Sequence, residues 1–312
     1  MSAPLRFAVI GVGHLGKHHA RILGGLPGAQ LVAAVDTVLD RAEAAVASIP
    51  GARAVASAAE ILDQVDAVVV AVPTVGHLDV ARMFLERGVH VLIEKPIATS
   101  VAEADTLVAL AAKHGATLAV GHSERFNPAM IAARPLLTAP RFIEVHRLSG
   151  FPERSLDIDV VFDVMIHDLD IVLAVDGTDV VSVEAVGINV LTPKVDIANA
   201  RLKFASGCVA NITASRISRD QVRKVRFFQT SSYLSIDYAA KEVEAWRVTP
   251  QPGARPKIEG GPVTVAPGDA LTTELTDFVD AIREQRAPMV SGTDGRKALA
   301  LAARVHDAMA TT

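Results

Sequence analysis

The sequence predicts an α/β chain in which a doubly wound parallel sheet is followed by an α+β region built on a predominantly antiparallel, open sheet. Strand-like and helix-like periods alternate through residues 1–122, the pattern of parallel βαβ units. Within them Asp66-Ala-Val-Val-Val-Ala-Val72 is a continuous apolar run, as expected of a strand covered by helices on both faces. From residue 141 the alternation gives way to long strand candidates joined by short turns.

In the first part, strands are expected at 5–10, 30–35, 66–72, 89–93 and 117–120, with helices at 14–24, 38–48, 76–86 and 100–113 between them. In the second, strands are expected at 141–148, 180–190, 197–205, 208–215, 222–229, 233–237 and 242–248, with one strongly apolar helix over 160–175. The Pro/Gly-rich stretch 250–268 reads as a loop, and helices 270–284 and 293–309 close the chain. The division expected is a dinucleotide-binding domain over 1–122 and an α+β domain over 123–312, whose C-terminal helix can pack back on the first.

A chain of 312 residues that is 50% apolar suits two real cores. Its net charge of −4 gives no general attraction for nucleic acid or an acidic membrane. The single cysteine, Cys208, has no intrachain disulfide partner and fits a reducing compartment. Met1-Ser-Ala-Pro-Leu-Arg6 has no signal-peptide pattern, and no apolar run reaches membrane-spanning length, so a cytoplasmic protein is expected.

Phe7-Ala-Val-Ile-Gly-Val-Gly-His-Leu-Gly16 places Gly11, Gly13 and Gly16 at a strand-to-helix corner, with His14 and Leu15 inside the turn. Gly11 suits the tight turn, Gly13 a close backbone approach to a pyrophosphate, and Gly16 close helix–strand packing. The helix N-terminus offers N–H groups and partial positive charge to the anion, so the first domain reads as a Rossmann domain. The second strand ends in Asp36, 20 positions beyond Gly16, where a carboxylate accepts the adenosine ribose hydroxyls. An acid there repels a 2′-phosphate, Thr37 and Val38 supply no guanidinium, and Arg41 lies inside the next helix. NAD is therefore the cofactor expected, although an aspartate capping the following helix would fit the same position.

Strand 89–93 runs into Glu94-Lys95-Pro96, placing Lys95 at the carboxyl end of a sheet strand, where open α/β sheets bind ligands. An ammonium there can steady a developing alkoxide; it can equally form a surface pair with Glu94. Asp163 and His167 are four apart and share a face if 160–175 is an α-helix. Histidine is suited to proton transfer near neutral pH and a nearby carboxylate can orient it, though a capped helix with a satisfied histidine has the same sequence. No metal is expected: His14/His18, Asp163/His167 and His122/Glu124 are suggestive pairs, but there is no His-Glu-x-x-His and no cysteine cluster.

Taken in order, Gly11/Gly13/Gly16, Glu94-Lys95-Pro96 and Asp163-x-x-x-His167 resemble the Gfo/Idh/MocA oxidoreductases over nearly the whole chain. The resemblance implies that Lys95, Asp163 and His167 meet beside the nicotinamide. It also implies cofactor contacts at Gly11, Gly13, His14, Leu15, Gly16, Asp36, Pro73, Thr74, His77, Glu94 and Lys95, a sugar-like substrate, and a homodimer or homotetramer formed through the open sheet. Gly121-His122-Ser-Glu124-Arg125-Phe-Asn127-Pro128, with the tracts Arg154–Asp157 and His167–Asp170, looks like the subgroup that oxidises the 3-hydroxyl of UDP-N-acetylglucosamine. Substrate contacts are accordingly expected at His122, Glu124, Arg125, Asn127, Arg154, Asp163 and His167.

Arg125, Arg147, Arg154, Arg216 and Arg219 could serve a diphosphate, or be ordinary surface charges. Many relatives carry glycine midway between the aspartate and histidine, where this chain has Met165. A free sugar, an inositol or a tetrapyrrole remains an alternative substrate. So does a non-catalytic dinucleotide-sensing role, as in the galactose-pathway repressor of yeast, which resembles the family; retention of Lys95, Asp163 and His167 argues against it.

Overall fold

The computed structural model describes residues 3–151 and 158–309. They form two compact units: the chain to Ser123 with Ala270–Arg296, and Glu124–Asp269 with the chain from Lys297.

The first unit runs β1 (Leu5–Ile10), α1 (Gly16–Leu23), β2 (Ala29–Val35), α2 (Leu39–Val46), β3 (Arg53–Val55), β4 (Ala67–Val70), α3 (His77–Leu85), β5 (His90–Glu94), α4 (Val101–His114) and β6 (Leu118–Gly121). The strands form one parallel sheet in the order β3-β2-β1-β4-β5-β6. All their carboxyl ends therefore share one edge, and the connection reverses direction between β1 and β4, the position where such sheets bind ligands. The apolar run read as a doubly covered strand is β4, every residue of it fully buried. Burial of each valine contributes roughly 1.5–3 kcal/mol. Helix α4 has both a start and a stop signal: the Ser100 hydroxyl accepts the Glu103 N–H at its beginning, and Gly115 closes it in the left-handed conformation. The three-residue β3, too short for a periodic signal, was not expected.

The second unit contains α5 (Pro128–Ala133), β7 (Pro140–Leu148), a π-helical turn (Val161–Met165), α6 (Ile166–Asp176), β8 (Val180–Ile188), β9 (Ile197–Phe204), β10 (Val209–Ser215), β11 (Val222–Gln229), β12 (Ser232–Asp237), β13 (Glu242–Thr249) and β14 (Lys257–Val263). Its eight-stranded sheet has the order β14-β13-β12-β11-β7-β10-β9-β8, antiparallel except where β7 lies parallel to β10. In β9, Ala198, Ala200, Leu202 and Phe204 point into the core while Asn199, Arg201 and Lys203 face outward, the alternation of a sheet covered on one face.

Two expectations are corrected here. The stretch 250–268 is not all loop, because β14 pairs along β13. A Cβ at Gly260 would lie 2.0 Å from the Ala245 carbonyl oxygen, so the glycine that suggested a loop permits a close strand approach. The chain from 270 also does not stay with the second unit. Helix α7 (Ala270–Glu284) buries Leu275, Phe278 and Val279 in the first core, with Phe278 edge-on to Phe7. Helix α8 (Gly292–Met309) starts in the first unit and then gives Ala298, Leu301, Ala302 and Val305 to the second core.

Arg216, one of the arginines considered for a diphosphate, is fully buried and bound to Asp196 (3.0 Å) and the Ile158 carbonyl (2.6 Å). Burial alone would raise the Asp196 carboxyl. The N–H groups of Leu191, Thr192 and Val190 and the Thr192 hydroxyl outweigh it and hold Asp196 well below the usual carboxylate range. A depressed folded-state value stabilises above the unfolded value of about 3.9 and is lost as pH falls below it. The stability gap between the parent and Asp196→Asn should therefore be widest near neutrality and narrow steadily with acid in urea titrations; a gap independent of pH would refute this role.

Candidate active site

The turn after β1 is built around its glycines. Gly11 has φ +85°, and a Cβ there would meet the Ala71 carbonyl oxygen at 2.8 Å. A Cβ on Gly16 would lie 1.8 Å from the Gly11 carbonyl oxygen, so α1 touches the turn through bare backbone. A Cβ on Gly13 would meet nothing within 4 Å, and His14 and Leu15 beside it are exposed. The turn is therefore a cradle with open space over its middle glycine, at the start of a helix with no acidic residue in its first turn and no side-chain cap. That fits a pyrophosphate. Gly16→Ala should abolish dinucleotide binding, measured by nicotinamide fluorescence; retained affinity would show that the turn relaxes.

Asp36 stands at the end of β2, almost buried. Its Oδ2 accepts the Val12 N–H (3.1 Å) and its Oδ1 the Val38 N–H (2.9 Å). Each carboxylate oxygen keeps a further lone-pair site, which suits a ribose hydroxyl. Pro73 and Thr74 follow β4 at the same edge, where Thr74 opens a short 3₁₀ turn.

Lys95 follows β5 directly and is half-buried. Behind it, Glu94 Oε1 lies 2.7 Å from Nε2 of the fully buried His19 on α1. His77 is also buried, with Nδ1 and Nε2 each 3.0 Å from the carbonyl oxygens of Pro96 and Val72. Burial pushes its imidazole below the ordinary value. The neutral ring donates to one of these carbonyls and lies against the other, between the loops after β4 and β5. His122, just past β6, is buried as well.

In the second unit, the helix expected over 160–175 is not uniformly α. The Ile166 N–H donates to the Val161 carbonyl, five residues back, and only then does α6 begin. The α-helical four-residue spacing assumed for Asp163 and His167 is corrected accordingly. Val160 and Met165, like Val161 and Ile166, are five apart and fully buried. An α-helix would turn such pairs about 140° from each other, whereas the widened turn brings both into the core. Asp159 starts the turn by accepting the Val161 N–H (3.0 Å). Asp163 and His167 are half-buried. Met165 is fully buried in the core.

Beneath α6 lies a buried charge network. Arg147 on β7 holds Asp168 through two hydrogen bonds (2.7 and 2.8 Å) and Glu124 through a third (3.0 Å), with its guanidinium 5.6 Å from the centre of the Tyr238 ring. Arg125 pairs with Asp170 at 3.0 Å. The Asn127 amide donates to Glu124 Oε2 and the Tyr238 carbonyl, while its oxygen caps α5. Burial works against the Arg147 cation, but the carboxylates of Asp168 and Glu124 more than reverse it and raise its pKa. Burial pushes the Asp168 carboxyl up, against the pull of Arg147. Glu124, Arg125 and Asn127, expected at the substrate, and Arg147, considered for a diphosphate, are thus engaged in internal contacts. Arg154 lies outside the described residues.

Residues 5–122 match the family model described as "Oxidoreductase family, NAD-binding Rossmann fold", and residues 140–234 match the "GFO/IDH/MocA C-terminal domain". UDP-N-acetylglucosamine 3-dehydrogenase of Acidithiobacillus ferrooxidans is 40% identical over 308 residues, 98% of this chain and 97% of that protein. The chain belongs to the Gfo/Idh/MocA oxidoreductase family. A solved structure of the Acidithiobacillus enzyme superposes with a TM-score of 0.92 at 38% identity, covering 99% of both chains. Inositol 2-dehydrogenase of Rhizobium meliloti is 26% identical over 96% of this chain and 94% of its own. The first unit is thus the NAD-binding Rossmann domain of a Gfo/Idh/MocA dehydrogenase. Sequence reasoning missed His19 and read Asp168 and Asp170 only within a resembling tract; the partner of each is distant in the chain.

Proposed function

We propose that this protein is an NAD-dependent dehydrogenase that oxidises the C3 hydroxyl of UDP-N-acetylglucosamine or a closely related nucleotide-sugar. The observation that carries this reading is 40% identity, sustained over 98% of the chain, to an enzyme named for that reaction. Gly11, Gly13, His14, Leu15 and Gly16 cradle the pyrophosphate, Asp36 accepts the adenosine ribose hydroxyls, and Pro73 and Thr74 flank the dinucleotide. His77 and Glu94 serve it by fixing the strand ends.

His167 accepts the proton of the sugar hydroxyl, and Asp163 orients the imidazole or holds a neighbouring hydroxyl. The Lys95 ammonium donates to the same oxygen as negative charge grows on it. When bound, NAD supplies the hydride acceptor. His122 and Arg154 complete the substrate contacts, and Glu124, Arg125 and Asn127 hold the ground beneath them.

The test is to extract and identify any nucleotide carried by the purified protein, then supply NAD with UDP-N-acetylglucosamine, N-acetylglucosamine or inositol. Nicotinamide reduction with the nucleotide-sugar alone, and a product lighter by a pair of hydrogens, is the result expected; turnover only with inositol would overturn the substrate.

The reading includes a homodimer or homotetramer joined through the open sheet. In support, Phe142, Phe228 and Tyr233 stack side by side on the uncovered face (ring centres 5.5 and 5.1 Å apart), and Tyr233 lies opposite Trp246 in register. Phe228 and Trp246 are exposed. The double substitution Phe228→Glu/Trp246→Glu should give a monomer by light scattering; an unchanged mass would move the interface elsewhere. A cytoplasmic location is part of the same reading, supported by the single cysteine, which has no intrachain disulfide partner. Among the described residues no helix is long and apolar enough to cross a membrane.

A further inference from the structure

A buried polar contact in the first unit stands next to the lysine at the end of β5. His19 sits on α1, whose N-terminus forms the phosphate cradle, and its ring is fully buried. Its Nε2 lies 2.7 Å from Glu94 Oε1, and its Nδ1 has no hydrogen-bond partner among the described residues. Glu94 is the last residue of β5 and the covalent neighbour of Lys95. It pairs in register with Gly121, where a Cβ would come within 2.8 Å of Glu94 Oε2. One oxygen of the carboxylate thus faces α1 and the other rests on the bare backbone of β6. A carboxylate this far from water must be compensated, and the His19 ring meets it at hydrogen-bond distance.

We propose that His19 is a positioning residue that acts through Glu94 on Lys95, so that the placement of the lysine depends on the same helix that receives the cofactor phosphates. The inference rests on Lys95 having the role given above. With Nε2–H donated to Glu94, the ring is held by one contact, and Glu94 is held between α1 and β6. Removing the donor leaves a buried carboxylate free to rotate, and with it the backbone that carries Lys95. Displacements of the order of 1 Å at a reacting group cost about a hundredfold in rate.

The experiment compares the parent, His19→Leu, which deletes the donor, and His19→Gln, whose amide reaches the position of Nε2. NADH affinity is read by nicotinamide fluorescence, acetylation of the Lys95 amine in the NADH-saturated holoenzyme by mass spectrometry, and kcat with UDP-N-acetylglucosamine. In His19→Leu, kcat should fall about ten- to a hundredfold, NADH affinity should stay within about threefold, and the cofactor should no longer slow Lys95 labelling as it does in the parent. His19→Gln should restore both labelling and kcat. Parent-like labelling and kcat in His19→Leu would overturn the proposal, as would a loss confined to NADH affinity or a failure of His19→Gln to rescue. If His19→Leu does not fold, His19→Gln against His19→Asn, whose shorter amide falls short of Glu94, makes the same comparison. A parent inactive on UDP-N-acetylglucosamine refutes the substrate, while the labelling comparison still decides the role of His19.

Discussion

Replacing His167 by alanine is expected to lower kcat by about 10²–10⁴-fold, the usual contribution of a general base, while NADH binds as it does to the parent. The reason is division of labour. The phosphate cradle, Asp36 and the edge of the parallel sheet lie in the first unit, whereas His167 stands at the first turn of α6 in the second. Lys95→Ala should show the same separation of turnover from cofactor affinity, because its proposed role is to meet charge that develops on the reacting oxygen. Steady-state kinetics with fluorescence titration of NADH check both, and parent-like kcat in the two variants would remove the proton-transfer assignment.

Arg147→Met is expected to destabilise the protein by about 3–5 kcal/mol, as when one member of a buried ion pair is removed. Methionine matches much of the volume, so the loss is mainly electrostatic. Asp168 forfeits two hydrogen bonds and Glu124 one, in a site from which water is excluded. The double variant Arg147→Met/Asp168→Leu should be more stable than Arg147→Met alone, because it no longer buries the uncompensated Asp168 carboxyl. Urea denaturation distinguishes the cases, and a single variant within about 1 kcal/mol of the parent would show that the network behaves like a surface pair.

The parts of this protein that were legible in its sequence are those whose causes are local. The glycine turn follows from the conformation and close approach that each glycine allows. Asp36 follows from strand length, and the doubly covered β4 from an unbroken apolar run. The π turn was hidden because Asp163 and His167 fit a helical period by themselves. Its signature is the fully buried five-residue spacing of Val160 with Met165 and of Val161 with Ile166.

Arg125, Arg147 and Arg216 looked like ligands for a phosphate because a sequence displays a guanidinium without its partner. The carboxylates they meet, Asp170, Asp168 and Asp196, are each at least 20 residues away. The same holds for His19 and Glu94, 75 residues apart, and for β14, whose Gly260 reflects the nearness of the neighbouring strand.

The carboxylate of Asp36 grips the Val12 amide inside the glycine turn and the Val38 amide at the entrance to α2. The group proposed to meet the adenosine ribose is thus also a fastener for the glycine turn. Anyone redesigning the enzyme to accept a phosphorylated ribose could not treat this position as an independent dial. Exchanging the acid for a small neutral residue would relieve the repulsion and, in the same stroke, unpin the phosphate turn. A successful redesign needs a second substitution that ties Val12 down again.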